Sequence, residues 1–320
     1  MHLCIITRGN PTQMRELRTL RCTQEIKYSS MNRSALTPSW DDAPVASAPE
    51  PVIRVESCSV SVVRRVAAML DLSPDSMVEG TLLPRGWQFV LMAADTPRSA
   101  LRADGFPGLG VPMPDLGLPR LMLGGRTVTY AKDIPVGAVV QRTSALQSLV
   151  HKTSAAGPLA IATLVHELRI AQESTPALVE TQTYLLLPAR KGAIDSGGGM
   201  RAERPAAERI ASFTPDETLL FQYSALGFNS HRIHLDRSHA RNVEGFPDLV
   251  VNGGLVTLLL TEFLRRDLGL VPAAIKVRHV APLYCGRAIT MTADRDGTNW
   301  RLKAYDDKNV LAVDMEVEIQ

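Results

Sequence analysis

The chain has 320 residues, of which 45% are hydrophobic and 21% charged, and its formal net charge is +2. That length exceeds the usual size of a single core and predicts two domains of ordinary size. The near-neutral balance, with no basic stripe interleaved with aromatics, excludes the usual composition of a nucleic-acid binder.

The four cysteines, Cys4, Cys22, Cys58 and Cys285, show neither metal-type spacing nor a disulfide framework, which points to a reducing compartment. No stretch reaches the roughly 18–20 uncharged apolar residues of a membrane span. The longest apolar run, Leu249 to Leu264, contains Asn252, Gly253, Gly254 and Glu262 and reads as a buried helix. Neither nucleic acid nor membrane is expected as a partner.

Residues 1–51 do not read as a domain. The first forty hold six Arg or Lys against two Glu, with many Ser and Thr and little periodic hydrophobicity. That composition fits an unstructured leader or an over-extended start with translation from Met31. It also fits an Arg-rich transit peptide. A cytoplasmic location goes with the first pair of readings and the mitochondrial matrix with the last. The tract DDAPVASAPEP that follows is a linker by composition.

Order begins at Val52. Ser59 to Leu72 places Val62, Val63, Val66, Ala67 and Leu70 at helical spacing, with Ser59 or Ser61 as its cap. Trp87 to Met92 predicts a helix packed under a sheet. A long loop rich in Pro and Gly then runs from Asp95 to about Pro119, and a loop of that length is commonly functional or disordered. Alternating, β-branched runs follow at Arg126–Lys132, Val139–Val150, Leu159–Ile170 and Leu178–Leu187, as expected of antiparallel strands.

A second Gly- and Pro-rich tract, residues 188–212, is the clearest internal boundary. Beyond it the order repeats. Phe213–Tyr223 is apolar, Asn229–Asp236 is polar, and a helix is predicted from about Gly254 to Leu268. Strands follow at Ala274–His279, Arg287–Arg295, Asn299–Tyr305 and Val310–Ile319. Val128, Tyr130 and Gly137 recur at the spacing of Val277, His279 and Gly286, an offset of 149 residues that indicates an internal duplication. The expected domains are 52–187 and 213–320.

The stretch FQYSALGFNSHRIHLD, Phe221 to Asp236, concentrates the polar chemistry. Three of the seven histidines, His231, His234 and His239, fall within nine residues here. His231 and His234 with Asp236 have the residue types of a metal site, but no Cys or second acidic cluster supports one, and no metal is expected. A solvated polar loop is the bland alternative. Acid–base chemistry is the sharper one, because His234 lies between Ile233 and Leu235 like a buried residue and titrates near neutrality. Asn229 cannot titrate but can hold a water or a substrate oxygen. Asp236 suits the cap of a short helix through Ala240. Gly253 and Gly254 open the apolar helix. They either let the chain turn or leave its N–H groups free for a developing negative charge.

The segments YSALGFNSHRIHLD and EGFPDLVVNGGLVTLLL resemble the catalytic segment and central helix of the MaoC-like hydratases of the hotdog fold. More closely, they are similar to the two-hotdog subgroup that includes mesaconyl-C4-CoA and itaconyl-CoA hydratases and the fungal mitochondrial 3-hydroxyacyl-thioester dehydratases. LPRLMLGGRTVTYAKDIPVGAVVQRTSALQSL resembles that subgroup's non-catalytic half, so the likeness covers about residues 52–320. It implies an α+β double hotdog, each antiparallel sheet wrapped around a long central helix, with only the C-terminal half catalytic. The implied activity is reversible hydration of a 2-enoyl thioester, on CoA or acyl carrier protein, with no cofactor.

The family's Asp and His positions are taken by Asn229 and His234, so the Asp is missing and His231 is the nearest titratable substitute. Where relatives carry His-Gly-Pro, this chain has Asn252, Gly253 and Gly254. The resemblance assigns Gly253 and Gly254 to the thioester oxygen. Arg232 is expected to take the free carboxylate of a dicarboxylyl substrate, with Tyr223 and Asn252 as further contacts. It leaves open a thioesterase, a non-catalytic acyl-CoA-binding protein, and a homodimer of pseudo-dimers.

Overall fold

The structure is a computed structural model that describes residues 4–5, 49–154, 157–189, 202 and 205–320. Most of the leader expected over 1–51, and most of the tract read as the internal linker, lie outside the described residues, although Cys4–Ile5 pairs with the sheet. In chain order the first part contains β1 (Cys4–Ile5), β2 (Val52–Ser57), α1 (Val60–Met69), β3 (Arg120–Tyr130), β4 (Val139–Ser154), β5 (Gly157–Ile170) and β6 (Leu178–Leu187). The second part contains β7 (Arg209–Phe213), α2 (Glu217–Leu226), α3 (Arg237–Asn242) and α4 (Gly253–Asp267), then β8 (Pro272–His279), β9 (Ile289–Asp296), β10 (Asn299–Tyr305) and β11 (Leu311–Ile319). β7 went unread in the sequence because its five residues adjoin the Gly- and Pro-rich tract.

Eleven strands among the described residues form one antiparallel sheet in the order β1-β7-β9-β10-β11-β8-β3-β6-β5-β4-β2. The order is nearly a palindrome: β7-β9-β10-β11-β8 mirrors β2-β4-β5-β6-β3. The halves meet where β3 pairs with β8, its counterpart, with Val128 opposite Ile275 and Arg126 opposite Val277. The duplication extends to backbone detail. Isolated bridges form at Leu82–Pro135 and Val250–Tyr284, and Leu83 N donates to Ile134 O as Val251 N does to Leu283 O, both at 2.8 Å. Pro135 and Tyr284, like Ile134 and Leu283, are separated by the offset of 149 residues seen in the sequence.

The halves differ in their centres. All ten residues from Leu255 to Leu264 in α4 are buried, as a helix apolar on nearly every face requires. Its one acidic group in that run, Glu262, accepts from Trp87 Nε1 at 2.8 Å and from Arg265 at 2.9 and 2.6 Å. Among the described residues, the N-terminal half lacks the long central helix expected of it. Trp87–Met92 is a 3₁₀ segment of six residues. It starts after Gly86, whose φ is 106°, and ends at the extended Ala93, with the proline-rich loop beyond. That leaves no room for a longer helix.

The Asp95–Pro119 loop is packed rather than loose. Phe106, Leu109, Val111, Met113, Leu116 and Leu118 cover an apolar patch formed by residues such as Leu146, Ala162, Leu164 and Leu186. Among the described residues, no helix is long and apolar enough to cross a membrane.

Gly86 brings the first half against α4. A Cβ there would overlap Thr261 Oγ1 on α4, and the left-handed backbone disfavours a side chain as well. Gly86→Ala is expected to lower stability by about 2–4 kcal/mol, overpacking and backbone strain together. Gly108→Ala has the same backbone penalty but no neighbour within 4 Å, so it should lose only about 1–2 kcal/mol. Denaturant midpoints of the two variants test the ranking, and equal losses would contradict it.

Candidate active site

α2 begins at Asp216, whose carboxylate accepts from Leu219 N at 2.8 Å, and carries Tyr223 on its buried face. It ends without a left-handed glycine. Phe228 takes that conformation, with φ 47°, and its ring is exposed. The reversal sends Asn229 inward. Asn229 Oδ1 accepts from His231 N at 3.1 Å, which fixes the amide oxygen and leaves the NH₂ group outside that bond. Asp236 caps α3 as the sequence suggests, accepting from His239 N at 2.9 Å.

The polar stretch does not stand alone. Asp104 O accepts from Arg232 N at 2.8 Å, and Gly105 O accepts from Ser230 Oγ at 2.6 Å. The proline-rich loop of the first half is thereby tied to the motif of the second. Asp104 Oδ1 also accepts from Phe106 N at 3.0 Å, which shapes the turn. The other carboxylate oxygen, Oδ2, lies 3.6 Å from His231 Nε2.

These groups line a cavity of about 300 Å³ that also receives Tyr223, Asn252, Gly253, Gly254, Arg126 and His279. Its walls come from both halves. His234 Nδ1 lies 2.7 Å from Val250 O. A carbonyl only accepts, so Nδ1 carries the proton and Nε2 keeps its lone pair. Burial pushes the His234 pKa down to about 4, against the opposing pull of the Val250 hydrogen bond. Burial, reinforced by His234 and Arg102, lowers His231 to about 3. His279 is also lowered to about 3, by burial and then by Arg126. All three imidazoles are therefore neutral at pH 7.

α4 opens at the cavity. Its first residues, Gly253 and Gly254, follow Asn252, whose side chain makes no cap bond. Asn252 Nδ2 donates instead to Ser224 Oγ at 3.3 Å. The N–H groups of the first turn thus carry the positive end of the helix dipole without an internal partner. Gly254 is required by close approach: a Cβ there would overlap the Tyr223 hydroxyl. His279 packs on Gly253 from the other side, its Cε1 3.2 Å from where a Cβ would be.

Of the residues the sequence singled out, Asn229, His231, His234, Tyr223, Asn252, Gly253 and Gly254 share this cavity. Arg232 does not. Its side chain is 46% exposed and bound to Asp236 at 2.7 Å, because the 3₁₀ turn Arg232–His234 buries Ile233 and His234 and, at about three residues per turn, leaves its remaining side to solvent. The sequence reading missed Asp104, Arg126 and His279. For Arg126 a signal was present, since it continues the alternation with Val128 and Tyr130, both buried, and a charge in such a row needs a reason.

A family model described as hydroxyacyl-thioester dehydratase type 2 matches residues 86–285. Mesaconyl-C(4)-CoA hydratase of Chloroflexus aurantiacus is 29% identical over 264 residues, covering 81% of this chain and 92% of that protein. The mitochondrial hydroxyacyl-thioester dehydratase type 2 of Schizosaccharomyces pombe is 30% identical over 91 residues, covering 28% of this chain and 30% of that protein. Among solved structures, a MaoC-like dehydratase from Phytophthora capsici matches with a TM-score of 0.62 at 14% identity, over 85% of this chain and 96% of its own. HtdX of Mycobacterium tuberculosis matches with a TM-score of 0.59 at 17% identity, over 85% of this chain and 100% of its own. At such identities the structures show a common fold, the double hotdog.

The buried imidazoles make stability depend on pH. Unfolded, each histidine titrates near 6.5; folded, His231, His234 and His279 titrate at about 3, 4 and 3. As pH falls below about 6.5 the unfolded chain takes up protons first. The stability present above that pH is lost at up to about 1.4 kcal/mol per pH unit for each group. Denaturation should therefore become markedly easier between pH 6.5 and 5, above the carboxylate range. A flat profile there would contradict the burial of these rings.

Proposed function

Because the chain belongs to the hydroxyacyl-thioester dehydratase type 2 family, we propose that its cavity carries out the reversible hydration of a 2-enoyl thioester to the 3-hydroxyacyl thioester. The chain is a hydro-lyase acting on acyl thioesters. The finer reading is a CoA ester with a short C5 dicarboxylyl group, mesaconyl-C4-CoA or itaconyl-CoA. The name of the Chloroflexus relative supports it.

One observation carries this reading: the Nε2 lone pair of His234 and the uncapped first turn of α4 open into the same cavity. The thioester oxygen takes hydrogen bonds from N–H groups at Gly253 and Gly254. Each such donor contributes about 3 kcal/mol to an enolate. Water, held by the Asn229 NH₂ group, loses a proton to His234 Nε2 as its oxygen bonds to C3. The electron pair of the C2–C3 double bond moves into the enolate. The imidazolium then returns the proton to C2, the enolate collapses, and the atoms of one water have been added.

Asn229 cannot titrate, and the carboxylate nearest the motif is that of Asp104, 3.6 Å from His231 Nε2. It comes from the other half of the chain, on the loop that the bonds from Arg232 N and Ser230 Oγ tie to the motif.

Incubation with 2-enoyl-CoA esters should abolish the conjugated thioester absorbance without release of free thiol. His234→Ala is expected to lower kcat about 10²–10⁴-fold; unchanged turnover would remove His234 as the proton carrier. Free thiol appearing in step with absorbance loss would indicate hydrolysis instead. Asp104→Asn can still accept from Phe106 N. It should reduce kcat about tenfold or more while stability is retained, and wild-type kinetics would exclude the pair.

A further inference from the structure

Two arginines contribute to the main cavity, and they are engaged differently. Arg120 Nε is bound to Glu244 Oε2 at 2.8 Å. Arg126 is bound only through Nη1, 3.0 Å from Glu180 Oε1, with its side chain 9% exposed. Its Nε is buried and has no hydrogen-bond partner among the described residues. Its Nη2 lies 3.3 Å from where a Cβ on Gly254 would be, at the first turn of α4. Nε and Nη2 form the edge of a guanidinium that binds a carboxylate through two parallel hydrogen bonds. Among the described residues that edge makes no ion pair, and its Nη2 lies beside the first turn of α4, where the thioester oxygen is expected to sit on the Gly253 and Gly254 N–H groups.

Two further buried atoms without partners surround the same turn, Asn252 Oδ1 and His279 Nε2. Buried polar groups are normally satisfied, so such a cluster indicates a ligand. The charge of Arg126 is already compensated by Glu180, itself held by Gln88 Nε2 at 3.0 Å and Gln182 Nε2 at 2.7 Å. A buried cation fixed in this way meets an incoming anion without reorganising.

A second cavity of about 160 Å³ lies beyond, sharing Phe106, Arg126, Tyr184, Tyr223 and Asn229 with the first. Arg142, Ser144, His166 and Gln182 line it further in. Arg142 is paired with Glu56 at 3.0 Å. Phe89, Met92 and Leu109 line it as well, so the cavity offers polar groups beside an apolar wall, as a short acyl group with a polar end requires.

We infer that Arg126 is the specificity-determining residue of the site, its Nε–Nη2 edge taking the free carboxylate of a short dicarboxylyl thioester beside the first turn of α4. This replaces Arg232 in that role. It rests on the hydratase reading for the placement of the thioester, but the subsite itself can be tested without turnover.

Succinyl-CoA and butyryl-CoA are four-carbon thioesters that differ by a carboxylate in place of a methyl group, and neither has a double bond to hydrate. Calorimetric titration should show the intact protein preferring succinyl-CoA. In Arg126→Met/Glu180→Gln, which removes the ion pair without leaving a lone buried charge, that preference should fall about 10- to 100-fold. Arg126→Lys keeps the charge but loses the two-point grip, and should lose roughly tenfold of the preference; it decides the matter if the double variant does not fold.

Equal losses for both ligands, or no preference in the intact protein, would overturn the assignment. Preference for succinyl-CoA that depends on Arg126, in a protein that hydrates no enoyl-CoA, would leave the subsite standing and remove the hydratase reading.

Discussion

A helix buried along ten consecutive residues has to be covered on every side, and α4 is covered by both halves of the chain. The sheet of the second half supplies one side. The first half supplies Trp87, whose indole satisfies Glu262 deep in the structure, and Gly86, which lies against Thr261. Neither half can bury α4 alone. That shared burial sets where β3 meets β8, and with it where Arg126, Tyr184 and the Asp104 loop stand relative to the first turn of α4. The site is a consequence of how the helix is covered.

The halves have diverged in a way that follows from this division. One keeps the long helix and its polar approach segment. The other has shortened its helix to a 3₁₀ segment and spends the intervening residues on a packed loop that reaches across to the motif. Asp104 and Phe106 arrive by that loop. Asn229 on one half cannot titrate, and the loop of the other brings the Asp104 carboxylate to 3.6 Å from His231 Nε2.

Much of this was legible in the sequence. Alternation gave the strands of both halves, and the repeated positions Val128, Tyr130 and Gly137 against Val277, His279 and Gly286 anticipated the mirrored sheet order. The near-continuous apolar run after Gly254 implied a helix buried all round. Asn229 and His234 stood out because polar groups there interrupt apolar surroundings. What was not legible depends on separation along the chain. Asp104 is 127 residues from His231, and only the fold brings them together. Trp87–Met92 has the composition of a helix, but the left-handed Gly86 and the extended Ala93 limit it to a short turn. Arg232 lies inside the motif, yet local geometry turns it to solvent. Sequence proximity was a poor guide to which arginine faces the substrate.

Hydration requires water to add across the double bond of an enoyl thioester while its carbonyl is held at the first turn of α4. The most direct measurement is turnover of mesaconyl-C4-CoA in ¹⁸O-labelled water with mass analysis of the products. Hydration places one ¹⁸O on the carbon β to an intact CoA thioester. Label found in a released carboxylate, with free CoA beside it, would contradict it.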